Sequence, residues 1–153
     1  MIRAGRRHLV RTLADLAAQQ GMQLSSYLNA KPYRVAGFPT PISSVGARNR
    51  LYDNEQVDAF LAGRPIPTLP TEDDSEDLLD RRECSAALGI SLRTWDKYKA
   101  TYPILTNLLV IVGGVEHWPR IILTQQQTQP TAPGRPERTG GRAASAAVPS
   151  RTQ

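Results

Sequence analysis

Residues 80–103 decide the fold: Asp80-Arg81-Arg82-Glu83-Cys84-Ser85-Ala86-Ala87-Leu88-Gly89-Ile90-Ser91-Leu92-Arg93-Thr94-Trp95-Asp96-Lys97-Tyr98-Lys99-Ala100-Thr101-Tyr102-Pro103. The stretch divides at Gly89. Asp80 caps one short helix that Gly89 stops in the left-handed conformation, and Ser91 opens a second that Pro103 stops. Two helices meeting at a glycine predict a helix-turn-helix.

The same layout lies 68 residues earlier, in Thr12-Leu13-Ala14-Asp15-Leu16-Ala17-Ala18-Gln19-Gln20-Gly21. Thr12 caps the start, Asp15 supports it, and Gly21 supplies the stop, while Leu13, Leu16 and Ala17 share a face. A second helix runs from Ser25, capped by that serine, to Pro32, which has no N–H with which to continue it. Overlaying the halves puts Thr12 on Asp80, Asp15 on Glu83, Leu16 on Cys84, Gly21 on Gly89, Leu24 on Leu92, Ser26 on Thr94, Tyr27 on Trp95 and Lys31 on Lys99. Caps, glycine, core and polar positions correspond, as a duplicated fold unit requires.

A β-prone stretch with a small-residue turn follows each second helix: residues 41–52 in the first half and 108–118 in the second, the latter turning at Gly113-Gly114. Each reads as a two-stranded wing. The first wing leads into the N-capped amphipathic helix Asp53 to Leu61, the second into Pro119-Arg120-Ile121-Ile122-Leu123, where proline suits the first helical turn. The expected fold is therefore mainly α with small β wings: two winged helix-turn-helix domains in tandem, spanning residues 1–66 and 80–129.

Composition fills in the rest. A chain of 153 residues is one ordinary domain or two very small ones, which excludes a large enzyme. The formal charge is +5 and the sequence pI about 9.8, favouring a polyanionic partner. Charge comes in blocks, with nets of +5 over residues 1–69, −6 over 70–80, +3 over 81–129 and +3 over 130–153. The run Pro70-Thr71-Glu72-Asp73-Asp74-Ser75-Glu76-Asp77 carries no aromatic residue, so residues 67–79 read as an acidic linker. From Pro130 the chain is Pro, Gly, Ala, Ser, Thr and Arg with Val148 as its only large hydrophobe, and residues 130–153 read as a disordered basic tail. One cysteine, Cys84, permits no internal disulfide, and with His8 and His117 far apart there is no zinc-ligand spacing, so neither metal nor cofactor is expected. No phosphate loop, nucleophile motif or scaffolded acidic pair suggests an enzyme. No apolar run approaches a spanning helix and no signal core follows Met1, so the expected location is cytoplasmic, at the nucleoid.

The stretches Arg82 to Trp95 and Gly113 to Arg120, with Asn49 to Leu61 in the first half, resemble the MerR and excisionase-like superfamily of winged helix-turn-helix domains. The resemblance spans about 110 residues as two copies. No long helix follows either wing and no cysteine cluster is present, which departs from ligand-sensing dimeric activators. The resemblance implies the small accessory DNA binders of phages, plasmids and integrating elements, acting as a transcriptional regulator or excisionase. The partners implied are double-stranded DNA and, on it, a recombinase, RNA polymerase or further copies of the chain, without a membrane. A second reading is a DNA-segregation or phage-packaging adaptor, since small terminase subunits resemble the same winged fold.

In such a domain the second helix enters the major groove. Periodicity puts Leu92, Trp95 and Lys99 on one face and leaves Arg93, Thr94, Lys97 and Tyr98 for DNA, Arg93 for guanine and Lys97 and Tyr98 for phosphate. The first half offers Ser25, Ser26 and Asn29, with Asn29 suited to adenine and Lys31 and Arg34 near the helix end. Arg48 and Arg50 lie at the first wing's tip, fit for a narrow minor groove or a phosphate. Glu116 and His117 make the second wing a poor anion contact. The amino-terminal Arg3, Arg6, Arg7 and Arg11 could extend along phosphates. Trp95, Tyr27, Tyr52 and Trp118 are expected inside, Cys84 as a small buried hydrophobe, and His8 and His117 at the surface. Gly134-Arg135-Pro136 weakly resembles a minor-groove AT-hook, and a plain basic tail is the preferred reading.

Overall fold

The caps and glycines set the element boundaries. The computed structural model describes residues 1–127, with side-chain surroundings through residue 124, so the expectations for residues 130–153 lie outside the described residues. The first half runs β1 (Val10–Thr12), α1 (Leu13–Gln19), α2 (Leu24–Ala30), β2 (Leu51–Asp53) and α3 (Asn54–Leu61). The second runs β3 (Leu78–Asp80), α4 (Arg81–Leu88), α5 (Leu92–Thr101), α6 (Pro103–Asn107), β4 (Val110–Val112), β5 (Val115–Pro119) and α7 (Ile121–Gln127). The fold is mixed α/β with two small antiparallel sheets, β1-β2 and β3-β5-β4.

Local chemistry explains the helices. Thr12 Oγ1 accepts from the Asp15 backbone N–H at 3.2 Å while Asp15 Oδ2 accepts from the Thr12 N–H at 2.8 Å, a complete capping box. Its counterpart opens α4, where Asp80 accepts from the Arg82 and Glu83 N–H groups and Glu83 accepts from the Asp80 N–H. Gly21 and Gly89 follow at φ +67° and +65°. Ser91 caps α5 by accepting from the Thr94 N–H at 3.1 Å. Two boundaries differ from expectation. Gln23, without a side-chain cap bond, begins α2, and Ser25 falls inside its first turn. Pro103 starts α6 at its first position: the residue before a proline is held extended, so Tyr102 (ψ +107°) ends α5.

The wings part company. The second is the expected hairpin, with Val112 opposite Val115 and both tip glycines at positive φ. The first is not a hairpin. Only Leu51–Asp53 is strand, and it pairs with β1, with Val10 opposite Asp53 and Thr12 opposite Leu51. Pro39 and Pro41 withhold two N–H groups, and the stretch is tied to Leu51 by the Ile42 N–H donating to the Leu51 carbonyl at 2.8 Å and the Leu51 N–H donating to Ser43 Oγ at 3.2 Å.

The acidic run also differs from an open linker. Asp77 is 0% exposed, and Leu78 and Leu79 are buried in β3, which pairs with β5 at Leu79 opposite Trp118. The reason is neutralisation. Asp77 accepts from the Ala4 N–H at 2.9 Å, the Asp74 N–H at 3.0 Å and Arg3 Nη1 at 2.9 Å, and Asp73 pairs with Arg3 and Arg120. Burial opposes ionisation of Asp77, but these donors outweigh it and hold its pKa below the ordinary carboxylate value.

Three apolar clusters form the core. Leu16, Ala17, Tyr27, Tyr52 and Val57 fill the first half. Leu79, Cys84, Trp95, Leu105, Trp118, Ile122 and Leu123 fill the second, with Trp95 edge-on to Trp118 at 5.1 Å and Trp118 Nε1 donating to the Leu105 carbonyl at 2.7 Å. The four aromatic side chains expected inside are all buried, and burial pushes the Cys84 thiol up to about 12. The third cluster joins the halves through Ile2, Val10 and Leu51 from one and Leu78 and Val112 from the other. His117, expected at the surface, is 1% exposed, opposite Asp80 of β3 and Val110 of β4, with Nδ1 2.9 Å from the Val115 carbonyl oxygen. Burial lowers its pKa.

Candidate nucleic-acid interface

The arginines and lysines sort into committed and uncommitted groups. Arg6 forks onto Asp53 at 2.8 Å through both Nε and Nη2 and reaches Glu55 at 2.6 Å, an arrangement that raises its pKa further. Arg3 and Arg120 are held by Asp73 and Asp77. Arg81 pairs with Asp96, and Lys99 with Glu116 at 2.5 Å. The amino-terminal cluster is thus split: Arg3 and Arg6 face inward acids, Arg11 donates to the His8 and Val10 carbonyls, and Arg7 is exposed. Arg3 and Arg6 leave the set of candidate phosphate contacts.

Among the described residues, Arg7, Lys31, Arg34, Arg48, Arg50, Arg64, Arg82, Arg93 and Lys97 are exposed and in no ion pair. Arg93 and Lys97 project from α5 away from Trp95, which is 0% exposed. Thr94 is half-buried, its hydroxyl 2.9 Å from Ser91 Oγ, and so belongs to the helix cap. Tyr98 is half-buried and packs edge-on to Tyr102 at 5.5 Å beside the second core, which turns its ring away from the outer face. Ser25, Ser26 and Asn29 are exposed on α2, and Lys31 holds a left-handed φ of +52° at its end. Arg50 is exposed, with its guanidinium carbon 5.6 Å from the Tyr33 ring centre.

Two grooves flank the place where the halves meet. One is bounded by Asp80, Arg81 and Arg82 at the start of α4, by Gly114 to Glu116 of the hairpin, and by Ala47 to Asn49 of the first half. The other is bounded by Thr12, Leu13 and Ala14, by Leu24 and Leu28 of α2, by Arg48 to Arg50, and by Gly113 of the second half. The hairpin tip is docked there: Asn49 Nδ2 donates to the Gly113 carbonyl at 3.3 Å, and a Cβ on Gly113 would lie 2.5 Å from Leu51 Cδ2. This tip is consequently not a free wing.

Sequence reasoning missed Arg82, Asn49, and the exposure of Leu24 (42%) and Leu28 (37%). Arg82 carried a usable signal. A basic pair in the first turn opposes the helix dipole, and Asp96 answers only Arg81. Among the described residues no group of three or more His, Cys, Asp or Glu side chains is placed to hold a metal ion, and no helix is long and apolar enough to cross a membrane.

The chain matches no family model, curated protein or solved structure. The functional reading therefore rests on the geometry.

Proposed function

We propose that this chain is a sequence-specific double-stranded DNA-binding protein built from two winged helix-turn-helix units, serving as a small transcriptional regulator or an excisionase-like accessory factor. The observation that carries the reading is α5. It is the second helix of a tightly turned pair, its inner face is anchored by a fully buried tryptophan, and its outer face holds Arg93 and Lys97, neither of which pairs with an acid among the described residues. That is the chemistry a major groove requires: a fork for the guanine O6 and N7 acceptors and a point charge for phosphate. The equivalent helix α2 offers hydroxyl and amide groups in place of charge. Of the other exposed cations in no ion pair, Arg48 and Arg82 line the groove between the halves and suit backbone phosphates.

The test is a gel-shift against the DNA flanking the gene for this chain, with random DNA as competitor. A retained complex under excess competitor supports the reading. Binding that random DNA displaces in proportion to its mass removes sequence specificity, and no binding at low salt removes DNA altogether.

A further inference from the structure

The two halves correspond in more than their element order. Val10–Thr12 and Leu78–Asp80 are equivalent strands, and Val10 faces Asp53 where Leu78 faces Pro119, so the returning segments match at a spacing of 66. On that spacing Ala47 in the first half is the counterpart of Gly113 in the second. The contacts between halves then come in reciprocal pairs. Gly113 lies against Thr12, at the first strand–helix junction. Asp80, the counterpart of Thr12, shares a groove with Ala47 and accepts from the Ser44 N–H at 3.2 Å. A contact that recurs with its partners exchanged is isologous, the mark of a twofold axis, whereas head-to-tail stacking would produce only one of the two. The axis passes between Gly113 and its counterpart Ala47, each of which lines the groove at the other half's strand–helix junction.

From this reciprocity we infer that the chain is an intramolecular pseudo-dimer, and that one copy reads an inverted DNA site with unequal halves. The inference rests on the DNA-binding reading above and adds the arrangement and chemistry of the site. A twofold preserves direction along its axis and reverses it across, so α2 and α5 project alike along the axis and run oppositely beside it. A duplex that presents two half-sites in opposite orientation matches this. The halves differ because the helices do. Exposed Leu24 and Leu28 beside Asn29 suit a thymine methyl and an adenine, which makes the half under α2 A·T-biased. Arg93 makes the half under α5 contain guanine.

The experiment is selection of the full chain on random double-stranded DNA, with the mass of the complex measured by sedimentation. The expected result is one chain per site and two enriched half-sites in opposite orientation, one A·T-rich and one with guanine. Asn29→Ala should relax only the former and Arg93→Ala only the latter. Insertion of about half a helical turn, roughly 5 bp, between the halves should weaken binding at least about 10-fold, since the docked tips fix the spacing. A direct repeat, a single contiguous motif, two chains per site, or relaxation of the same half by both substitutions overturns the pseudo-dimer while leaving DNA binding intact. No enrichment at all overturns the proposed function itself.

Discussion

Gly113→Ala isolates the docking of the second hairpin on the first half. The substitution adds one methyl group at a position with φ +56°, where its Cβ would stand 2.5 Å from Leu51 Cδ2 and 2.9 Å from Thr12 Cγ2. Two costs combine. A left-handed conformation costs a residue bearing a Cβ about 1–2 kcal/mol, and forcing a methyl into a packed contact costs about 1–3 kcal/mol. Leu51 is 0% exposed and cannot swing into solvent, so the expected loss is about 2–5 kcal/mol. Gly46→Ala is the internal control, because Gly46 has φ +75° with nothing within 4 Å of an added Cβ, which leaves only the backbone cost of about 1–2 kcal/mol. Urea unfolding followed by tryptophan fluorescence reads both variants, with the slope compared to confirm that the same surface is exposed. Equal losses for the two would refute docking of the tip, and with it the shared core between the halves.

Three further outcomes are expected. Trp95→Ala should cost about 3–5 kcal/mol of stability, whereas Arg93→Ala, exposed on the same helix, should leave unfolding unchanged and cost about 1–3 kcal/mol of discrimination between DNA sequences; equal destabilisation would show that the facing of α5 is wrong. Asp77→Ala leaves the Ala4 and Asp74 N–H groups without their acceptor, removes the buried carboxylate from Arg3, which keeps Asp73, and should cost about 3–5 kcal/mol; because the carboxylate pKa is depressed in the fold, wild type and variant should converge as pH falls below about 4, and a constant difference down to pH 2 contradicts this account. His117 has a lowered pKa in the fold, so the unfolded chain takes up its proton first, and stability should decline as pH falls below about 6.5; His117→Gln should flatten that decline in urea titrations at pH 7 and pH 5.5.

The parts legible in the sequence are those decided within a few residues. Thr12 with Asp15, Asp80 with Glu83, and the stops at Gly21 and Gly89 are complete on sight because a cap and its acceptor are three residues apart. The spacing of 68 was legible for the same reason. What escaped depends on distant partners. Asp77 looks like solvated charge until Arg3, 74 positions earlier, is placed beside it. The stretch from Pro41 to Tyr52 has strand-prone residues, but only its end is strand, and that end ladders with β1, about 40 positions earlier. His117 alternates as a surface position would, and its place between Asp80 of β3 and Val110 of β4 depends on residues far away in the chain. In the candidate interface, exposure of Arg93 and Lys97 followed from helical periodicity, whereas the diversion of Arg3 and Arg6 to acids could not be read locally.

The bridge between Ile2 and Leu78, with bonds of 2.9 and 2.8 Å, has a consequence for synthesis. A ribosome delivers Ile2, Val10 and Leu51 well before the residues that cover them, Leu78 and Val112. At about 5–20 residues per second, the interval between completing α3 and releasing β5 lasts on the order of several seconds, during which the nascent first half carries an uncovered apolar seam. The seam between the halves can therefore close only once Leu78 and Val112 have emerged, and a transcript truncated after residue 69 yields a product whose Ile2, Val10 and Leu51 lack their cover. Gene fusions or split versions of this protein should keep both halves in one reading frame.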